Sequence, residues 1–211
     1  MSLDDVAGLP PTLQLLDWRR RVAALYLAVR TAGNPEAAWQ AWMQGRTALY
    51  RRHPQSPLPA EVRAKGRLPL FFAYDPALRF VVDVAVIKTP PRARTVDVGD
   101  DGALSLTPAL QTIGLAQPLG AELTIFALGG YGGGLLLAFK DATSGAETYG
   151  GGRYLLDTIK SADLGLARDG RMILDFNFAY QPSCCHAPTW VCPLAPPENT
   201  LGAAVRGGER L

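Results

Sequence analysis

The hydrophobic pattern of this chain changes its period near residue 67, and this change constrains the fold more than any other feature of the sequence. Before residue 67, apolar residues recur every three or four positions, which is typical of amphipathic helices. After it, they alternate with polar residues, which is typical of half-buried strands. The pattern predicts an α+β, mainly β protein with an N-terminal helical hairpin packed on an antiparallel β-sandwich or a partly closed β-barrel.

The same change divides the chain into two expected segments. Residues 1–66 are expected to hold two amphipathic helices and a Pro-rich linker, and residues 67–211 to form the antiparallel β domain. An apolar helix face has to cover another surface, so we expect both segments to fold as one cooperative unit.

Two stripes define the predicted helices. Thr12 is expected to cap the first helix and Gly33 to end it, while Asn34 and Pro35 have the chemistry of a second helix start. The first stripe is Leu15, Trp18, Val22, Leu25 and Val29, and the second is Trp39, Trp42, Met43, Arg46, Leu49 and Tyr50.

The predicted strands are short, and turn signals separate them. The Gly-rich segment 129–134 precedes a strand pattern and lacks the Gly-Lys-Ser/Thr of a phosphate loop, so it is interpreted as a hairpin tip. The expected strands are 80–87, then 95–98 and 103–107 around Gly99–Gly102, 122–128 and 135–140 around the Gly-rich tip, and 164–167 and 171–180 around Asp169-Gly170.

Composition excludes several classes of protein. Apolar residues make up 48% of the chain and charged residues 19%, so it is not disordered. Apolar runs fall far short of the ~20 residues of a membrane span, and the acidic start lacks signal-peptide features, which predicts a cytoplasmic protein without a membrane partner. Basic residues are concentrated before residue 68, but no nucleic-acid motif accompanies them. No nucleic-acid partner and no cofactor are expected, and the oligomeric state is left open.

The cysteine-rich stretch invites a zinc interpretation through Cys184, His186 and Cys192. Neighbouring Cys184 and Cys185 cannot easily point at one ion, so we expect no metal site. A Cys184–Cys192 disulfide is geometrically possible, but a reducing cytoplasm favours free thiols. A Cys–His nucleophile needs a converging base, which the sequence does not indicate.

The polar residues near the C-terminal strands are the best site candidates. In the predicted strand 171–180, Asp175 and Asn177 share one face. The guanidinium of Arg153 is a natural partner for Asp175, for Asp141 or for an anionic ligand. The alternative is that Arg153 and Asp175 form an internal structural pair.

The segments 139–154, 175–180, 192–193, 197–199 and 208–209, with Cys184, resemble the bacterial family called domain of unknown function 1684. The helical part is similar to one branch of that family through Arg46 and the segments 53–58 and 74–76. The chain departs from that pattern at 181–186, where Gln-Pro-Ser-Cys-Cys-His replaces an expected Asn-Pro-x-Cys-Ala-Tyr. The resemblance implies no established activity. It directs attention to the polar residues Asp141, Thr143, Glu147, Tyr149, Arg153, Tyr154, Asp175, Asn177, Glu198 and Asn199.

Three functions remain open from the sequence. The first is binding of a small polar or anionic molecule in a pocket around Arg153 and Asp175. The second is a hydrolase or isomerase in which Asp175 or Glu147 acts as general acid or base and Tyr149 or Arg153 stabilises developing charge. The third is a structural polar network, with a protein-interaction role for helices that carry Trp18, Trp39 and Trp42. The ligand-binding candidates are Asp141, Thr143, Arg153, Tyr154, Asp175, Asn177, Glu198 and Asn199.

Overall fold

The computed structural model describes residues 2–99, 102–130 and 133–211. The N-terminal region is helical, and its two long helices form the predicted hairpin. No helix in these ranges is long and apolar enough to cross a membrane. The helices are α1 (Leu3–Ala7), α2 (Pro11–Thr31), α3 (Pro35–Arg52) and α4 (Ala60–Ala64), and a short α5 (Ala116–Leu119) follows within the β region.

The ends of the long helices follow capping chemistry. The side chain of Asn34 accepts a hydrogen bond from the backbone N–H of Ala37 at 3.0 Å, which confirms the predicted start of α3. The prediction that Thr12 caps α2 is wrong, because α2 begins at Pro11, whose missing N–H suits a first helical turn. The helix ends at Thr31, before Gly33 is reached.

The described strands form two antiparallel sheets. The strands are β1 (Leu70–Phe71), β2 (Arg79–Val86), β3 (Arg94–Asp97), β4 (Ala103–Ile113), β5 (Thr124–Gly129), β6 (Gly134–Phe139), β7 (Arg153–Asp157), β8 (Met172–Asp175) and β9 (Glu209–Arg210). The larger sheet has seven of them, in the order β7-β6-β5-β4-β2-β8, with β3 on a further stretch of β4, and the smaller sheet pairs β1 with β9.

A backbone bridge between Tyr154 and Tyr180 joins the two ends of the larger sheet. Tyr154 lies on β7 and Tyr180 on the chain that follows β8, and their backbones exchange hydrogen bonds of 2.8 and 3.0 Å. The sheet therefore curls into a nearly closed barrel. This arrangement, with helices at the N-terminus, confirms the predicted α+β, mainly β fold.

The predicted strand 171–180 is too long. Strand β8 ends at Asp175, whose carboxylate accepts a hydrogen bond of 3.0 Å from the backbone N–H of Asn177 and starts the 3₁₀ turn Phe176–Phe178. The predicted alternation of faces therefore stops at Asp175. The predicted strand 164–167 is also wrong, since that segment forms only an isolated bridge from Leu166 to Met172.

The hairpin predictions hold for the strands that flank the turns. Strands β3 and β4 pair antiparallel, as do β5 and β6. The two predicted turns lie partly outside the described residues, because 100–101 and 131–132 fall in the gaps.

The core has two parts, on opposite faces of the larger sheet. On β6, Leu136 packs in the cluster that faces the helices, whereas Leu137 and Phe139 pack in the other cluster. Trp42 of α3 makes an edge contact with Phe178, with ring centroids 5.2 Å apart. The helical hairpin therefore covers one face of the sheet and forms a boundary at which a cavity can lie.

Asn34→Ala is expected to lower the free energy of unfolding by about 1 kcal/mol, because the first turn of α3 loses its side-chain acceptor. Urea denaturation measures this loss. Asn34→Asp is the matched control and should retain most of the stability, since its carboxylate can accept the same bond. Equal losses in both variants would contradict the capping role.

Candidate functional site

Arg153, the central residue of the predicted site, is fully buried and makes its polar contacts within the protein. Its Nη2 lies 2.8 Å from Oδ2 of Asp141, and neither side chain is exposed. The same guanidinium donates to the backbone carbonyls of Val205 at 2.7 Å, Glu209 at 3.3 Å and Gly207. Arg153 thus fixes the C-terminal segment against β7.

Asp141 and Thr143 extend this network. The Oδ1 atom of Asp141 accepts from the backbone N–H of Thr143 at 2.7 Å and of Val205 at 3.3 Å. The Thr143 hydroxyl shares a hydrogen bond of 2.9 Å with that of Thr148. Burial lowers the pKa of Arg153, and the Asp141 carboxylate opposes this effect. Arg153, Asp141 and Thr143 thus link separate segments of the same chain, and we call this network the clamp.

Asp175 and Asn177 lie together, as the sequence predicted, but they form a separate cluster. The Nδ2 of Asn177 donates to Oδ1 of Asp175 and to the carbonyl of Asp75, each at 2.8 Å. Its Oδ1 accepts from the backbone N–H of Asp75 at 2.9 Å. Among the described residues, no hydrogen bond or ion pair joins Arg153 to Asp175.

Asp175 lines a cavity of about 80 Å³ between the α2–α3 turn and the barrel. Its Oδ2 lies 3.7 Å from Nε of Arg79 and 3.5 Å from the hydroxyl of Tyr74. Burial raises the pKa of the Asp175 carboxyl, although Asn177 and Arg79 oppose the rise. A carboxyl with a raised pKa that faces a cavity can exchange a proton.

The remaining ligand-binding candidates contact their own chain. The amide of Asn199 bonds to both backbone groups of Thr124 and to the carbonyl of Ala138, at 2.7 to 2.9 Å. Tyr154 donates its hydroxyl to the Pro193 carbonyl at 2.6 Å. Glu198 forms an ion pair with Arg94 at 2.8 Å near the surface.

Glu147 and Tyr149, the other catalytic candidates, lie apart from Asp175. Glu147 forms an exposed ion pair with Arg206 at 2.8 Å, and this contact lowers the pKa of its carboxyl. The Tyr149 hydroxyl lies 3.8 Å from Sγ of Cys184, and burial raises its pKa. Neither arrangement provides a base near neutral pH.

The three cysteines are free thiols in the structure. Burial raises the pKa of Cys184 to about 11 and that of Cys185 to about 12, so neither is an activated nucleophile. Burial also lowers the pKa of His186. Within the described part of the chain, no group of three or more His, Cys, Asp or Glu side chains could hold a metal ion.

A second cavity lies between the helical hairpin and the barrel, and we call it the Arg46 cavity. It has a volume of about 120 Å³. Its floor is formed by buried residues and its rim by exposed ones. The floor comprises Val22, Tyr26, Arg46, Tyr50, Pro57, Ala162, Tyr180 and Gln181, the rim comprises Leu15, Arg19 and Trp190, and Trp18, Gln55, Lys160 and Ser183 lie between.

Arg46 is held in this floor by an ion pair across the fold. Its Nε donates to Oε1 of Glu209, and both side chains are buried. The guanidinium carbon lies 4.6 Å from the ring centroid of Tyr50 and 4.5 Å from that of Tyr180. Burial opposes the charged form, but Glu209 and its neighbours raise the pKa of Arg46. Arg46 therefore carries a fixed positive charge.

Hydrogen-bond donors remain available on this floor. The Nη2 of Arg46 donates to the Tyr50 hydroxyl, whereas Nη1 has no acceptor among the described residues. The Tyr50 hydroxyl accepts that bond, so its own proton is left to donate, and no described group takes it. The side-chain Nε2 of Gln181 likewise has no described acceptor, whereas its backbone N–H donates to Glu209. These donors can meet an acceptor in the cavity.

Sequence reasoning placed Arg46 on the apolar stripe of α3 but did not select it as a site residue. The available signal was a charged side chain among Trp39, Trp42, Leu49 and Tyr50, all of which are buried. A charge on a buried face requires a partner. The partner, Glu209, lies 163 residues away, so no spacing pairs the two, although both belong to the segments that carry the family resemblance.

The family described as "Protein of unknown function (DUF1684)" matches residues 69–210. The chain belongs to this family. This membership confirms the resemblance that the C-terminal motifs indicate. Among solved structures, the protein is similar to an uncharacterized protein of Haloarcula marismortui, from gene locus rrnAC0354, determined by solution NMR. The two are 30% identical with a TM-score of 0.54, over 83% of this chain and 95% of the other. No curated protein matches this DUF1684 chain.

Arg153→Met is expected to lower the free energy of unfolding by about 3–5 kcal/mol, because it leaves the Asp141 carboxylate buried without its partner. Urea denaturation measures the loss. Arg206→Met, which removes an exposed ion pair, is the matched control and should change stability little. The double variant Asp141→Asn/Arg153→Met should recover part of the loss. Equal effects of the two single variants would contradict the clamp.

The Asp175 carboxyl is expected to titrate above 3.8, and that of Glu147 below 4.5, when followed by carboxyl ¹³C NMR. Since the native pKa of Asp175 exceeds its unfolded value, its contribution to stability is full at pH values below 3.8. That contribution is lost as the pH rises through the native pKa. Asp175→Asn should therefore gain stability relative to wild type between pH 4 and pH 7. A constant difference would contradict this.

Proposed function

We propose that this DUF1684 protein binds a small anionic molecule in the Arg46 cavity. The observation that carries the proposal is the pair of donors left on the floor, at Nη1 of Arg46 and the hydroxyl of Tyr50. An unused guanidinium N–H that lines a cavity can donate a charge-assisted hydrogen bond to a negatively charged acceptor, although Glu209 already pairs with Nε of Arg46.

The charges of the cavity agree with an anion. None of the described residues that line it is acidic, and Arg19, Arg46 and Lys160 are basic. Glu209 neutralises Arg46 from behind, and Lys160 forms an ion pair with Asp157 at 3.2 Å. Arg19 is exposed on the rim and has no described ion-pair partner, so it adds an unopposed positive charge at the entrance.

Arg153, which the sequence predicts to bind an anion, is less suited to this role. Its two terminal nitrogens already contact one carboxylate and three backbone carbonyls of the protein. A ligand would have to displace those contacts and leave buried acceptors without partners. Binding at Arg46 requires no such exchange, so we favour it over the predicted pocket around Arg153 and Asp175.

Two-dimensional ¹⁵N NMR with butyrate, benzoate, inorganic phosphate and neutral butanamide tests the proposal. The anions are expected to shift the amide signals of Tyr50, Ala162 and Gln181, whereas those of Asp141 and Arg153 should remain in place. The double variant Arg46→Met/Glu209→Gln removes both buried charges together, so neither is left unpaired. It should retain a dispersed spectrum and lose these shifts.

A charge reversal at the rim provides a control that spares the core. Arg19→Glu is expected to weaken anion binding several-fold, and most strongly at low salt. Arg20→Glu changes the neighbouring exposed residue, which does not line the cavity, and should weaken binding less. Failure of every anion in the panel to shift the cavity signals of the wild-type protein would refute the proposed function.

Acid–base catalysis by Asp175 is the second candidate function. Its support is the buried carboxyl that lines the 80 Å³ cavity with a raised pKa. A hydrolase or isomerase would use this group as a general acid or base. Ester, glycoside and phosphate panels assayed across pH should then show activity that Asp175→Asn removes and the Arg46 double variant leaves unchanged. Activity that survives Asp175→Asn would exclude this role.

A further inference from the structure

We infer, on the basis of the proposed function, that the ligand of the Arg46 cavity is an amphipathic monocarboxylate. Its carboxylate lies on the floor against Arg46 and Tyr50, and its apolar chain leads out over Leu15 and Trp190 on the rim. Three features of the cavity support this class: the charge of the floor, the arrangement of its donors and the apolar character of the exit.

The charge of the floor suits a single negative charge. Arg46 is matched by Glu209, and the half-buried Lys160 by Asp157, so these charged groups are already close to neutral as pairs. A dianion such as a phosphate monoester would bring two charges into this region, with Arg19 as the one unmatched cation of the lining. Burial of charge without matching partners is costly, so a monoanion is favoured.

The arrangement of the donors suits two oxygen atoms on one planar group. Nη1 of Arg46 is bonded through the guanidinium carbon to Nη2, which donates to the Tyr50 hydroxyl. The free N–H and the free O–H are therefore neighbours in the lining. Burial raises the pKa of Tyr50, so its hydroxyl keeps its proton and remains a donor. A carboxylate can accept from both at once.

Two of the three rim residues of the cavity, Leu15 and Trp190, are apolar, and the third is Arg19. Leu15 is 45% exposed and Trp190 is 43% exposed, although both line the cavity. The indole N–H of Trp190 donates to the carbonyl of Pro57 at 3.2 Å, which fixes the ring beside the opening. A ligand that covers these side chains removes apolar surface from water.

The volume of the cavity limits how much of the ligand can lie inside it. About 120 Å³ is less than the roughly 150 Å³ that accommodates benzene, so the cavity holds the carboxylate and only the first few carbons. A longer chain must continue over the rim. The inferred ligand class is therefore a straight-chain monocarboxylate whose chain extends beyond the cavity to Leu15 and Trp190, or an acid of similar shape.

Calorimetric titration with butyrate, hexanoate, octanoate, octanol and octyl phosphate tests the inference. Affinity is expected to rise about threefold per methylene from butyrate to octanoate, as each group leaves water at the rim. Octanoate should bind at least tenfold more tightly than octanol or octyl phosphate. Tyr50→Phe should weaken octanoate binding more than octanol binding, because a hydrogen bond from the hydroxyl to a carboxylate is stronger than one to a neutral alcohol.

Two neighbouring leucines give a matched test of the exit. Leu15→Asn changes a rim residue, whereas Leu16→Asn changes an equally exposed residue outside the lining. Leu15→Asn is expected to weaken octanoate binding about threefold or more and to leave butyrate binding unchanged. Leu16→Asn should change neither.

The outcomes separate this inference from the proposed function. Equal affinity for octanoate and octanol, or tighter binding of octyl phosphate, would overturn the monocarboxylate class while anion or ligand binding at the cavity stands. Equal affinity for butyrate and octanoate would overturn the apolar exit. Absence of binding by every anion, with no signal shifts at Tyr50 or Gln181, would overturn both.

Discussion

The ion pair between Arg46 and Glu209 is the interaction on which the arrangement of the molecule depends. It joins α3 to β9 across 163 residues of sequence, with both side chains buried. Glu209 also accepts from the backbone N–H of Gln181 at 2.7 Å, so one carboxylate fixes a helix and the segment after the barrel. Since an unpaired charge at this depth would be costly, the pair requires these elements to meet in one way. The Arg46 cavity is the space left beside them.

Outside the helices and strands, side chains provide hydrogen-bond partners for the backbone N–H and C=O groups. The guanidinium of Arg153 satisfies carbonyls in the C-terminal segment, the amide of Asn177 holds the backbone of Asp75, and that of Asn199 holds Thr124 and Ala138. Buried backbone groups need such partners when no strand supplies them. Arg153, Asn177 and Asn199, which the sequence predicts as ligand-binding residues, therefore hold the loops of the barrel in place.

Local patterns predicted the elements well because their causes are local. Asn34 caps α3, as its side-chain chemistry predicts, and most of the predicted apolar stripe of α3 is buried. The predicted strand 171–180 is longer than the observed β8 because the carboxylate of Asp175 accepts a hydrogen bond from the backbone N–H of Asn177. This bond replaces strand pairing, and the alternation of polar and apolar residues does not reveal it. Arg153 was recognised as important, but its partners Val205 and Gly207, like Glu209 for Arg46, are set by tertiary contacts that no spacing encodes.

The long separation of Arg46 and Glu209 has a consequence for synthesis of the chain. At about 5–20 residues per second, Arg46 leaves the ribosome on the order of ten seconds or more before its partner. The barrel strands β1–β8 are synthesised during that interval, but the cation of Arg46 has no carboxylate to pair with until Glu209 follows. The order of translation therefore sets when the Arg46 cavity can first form.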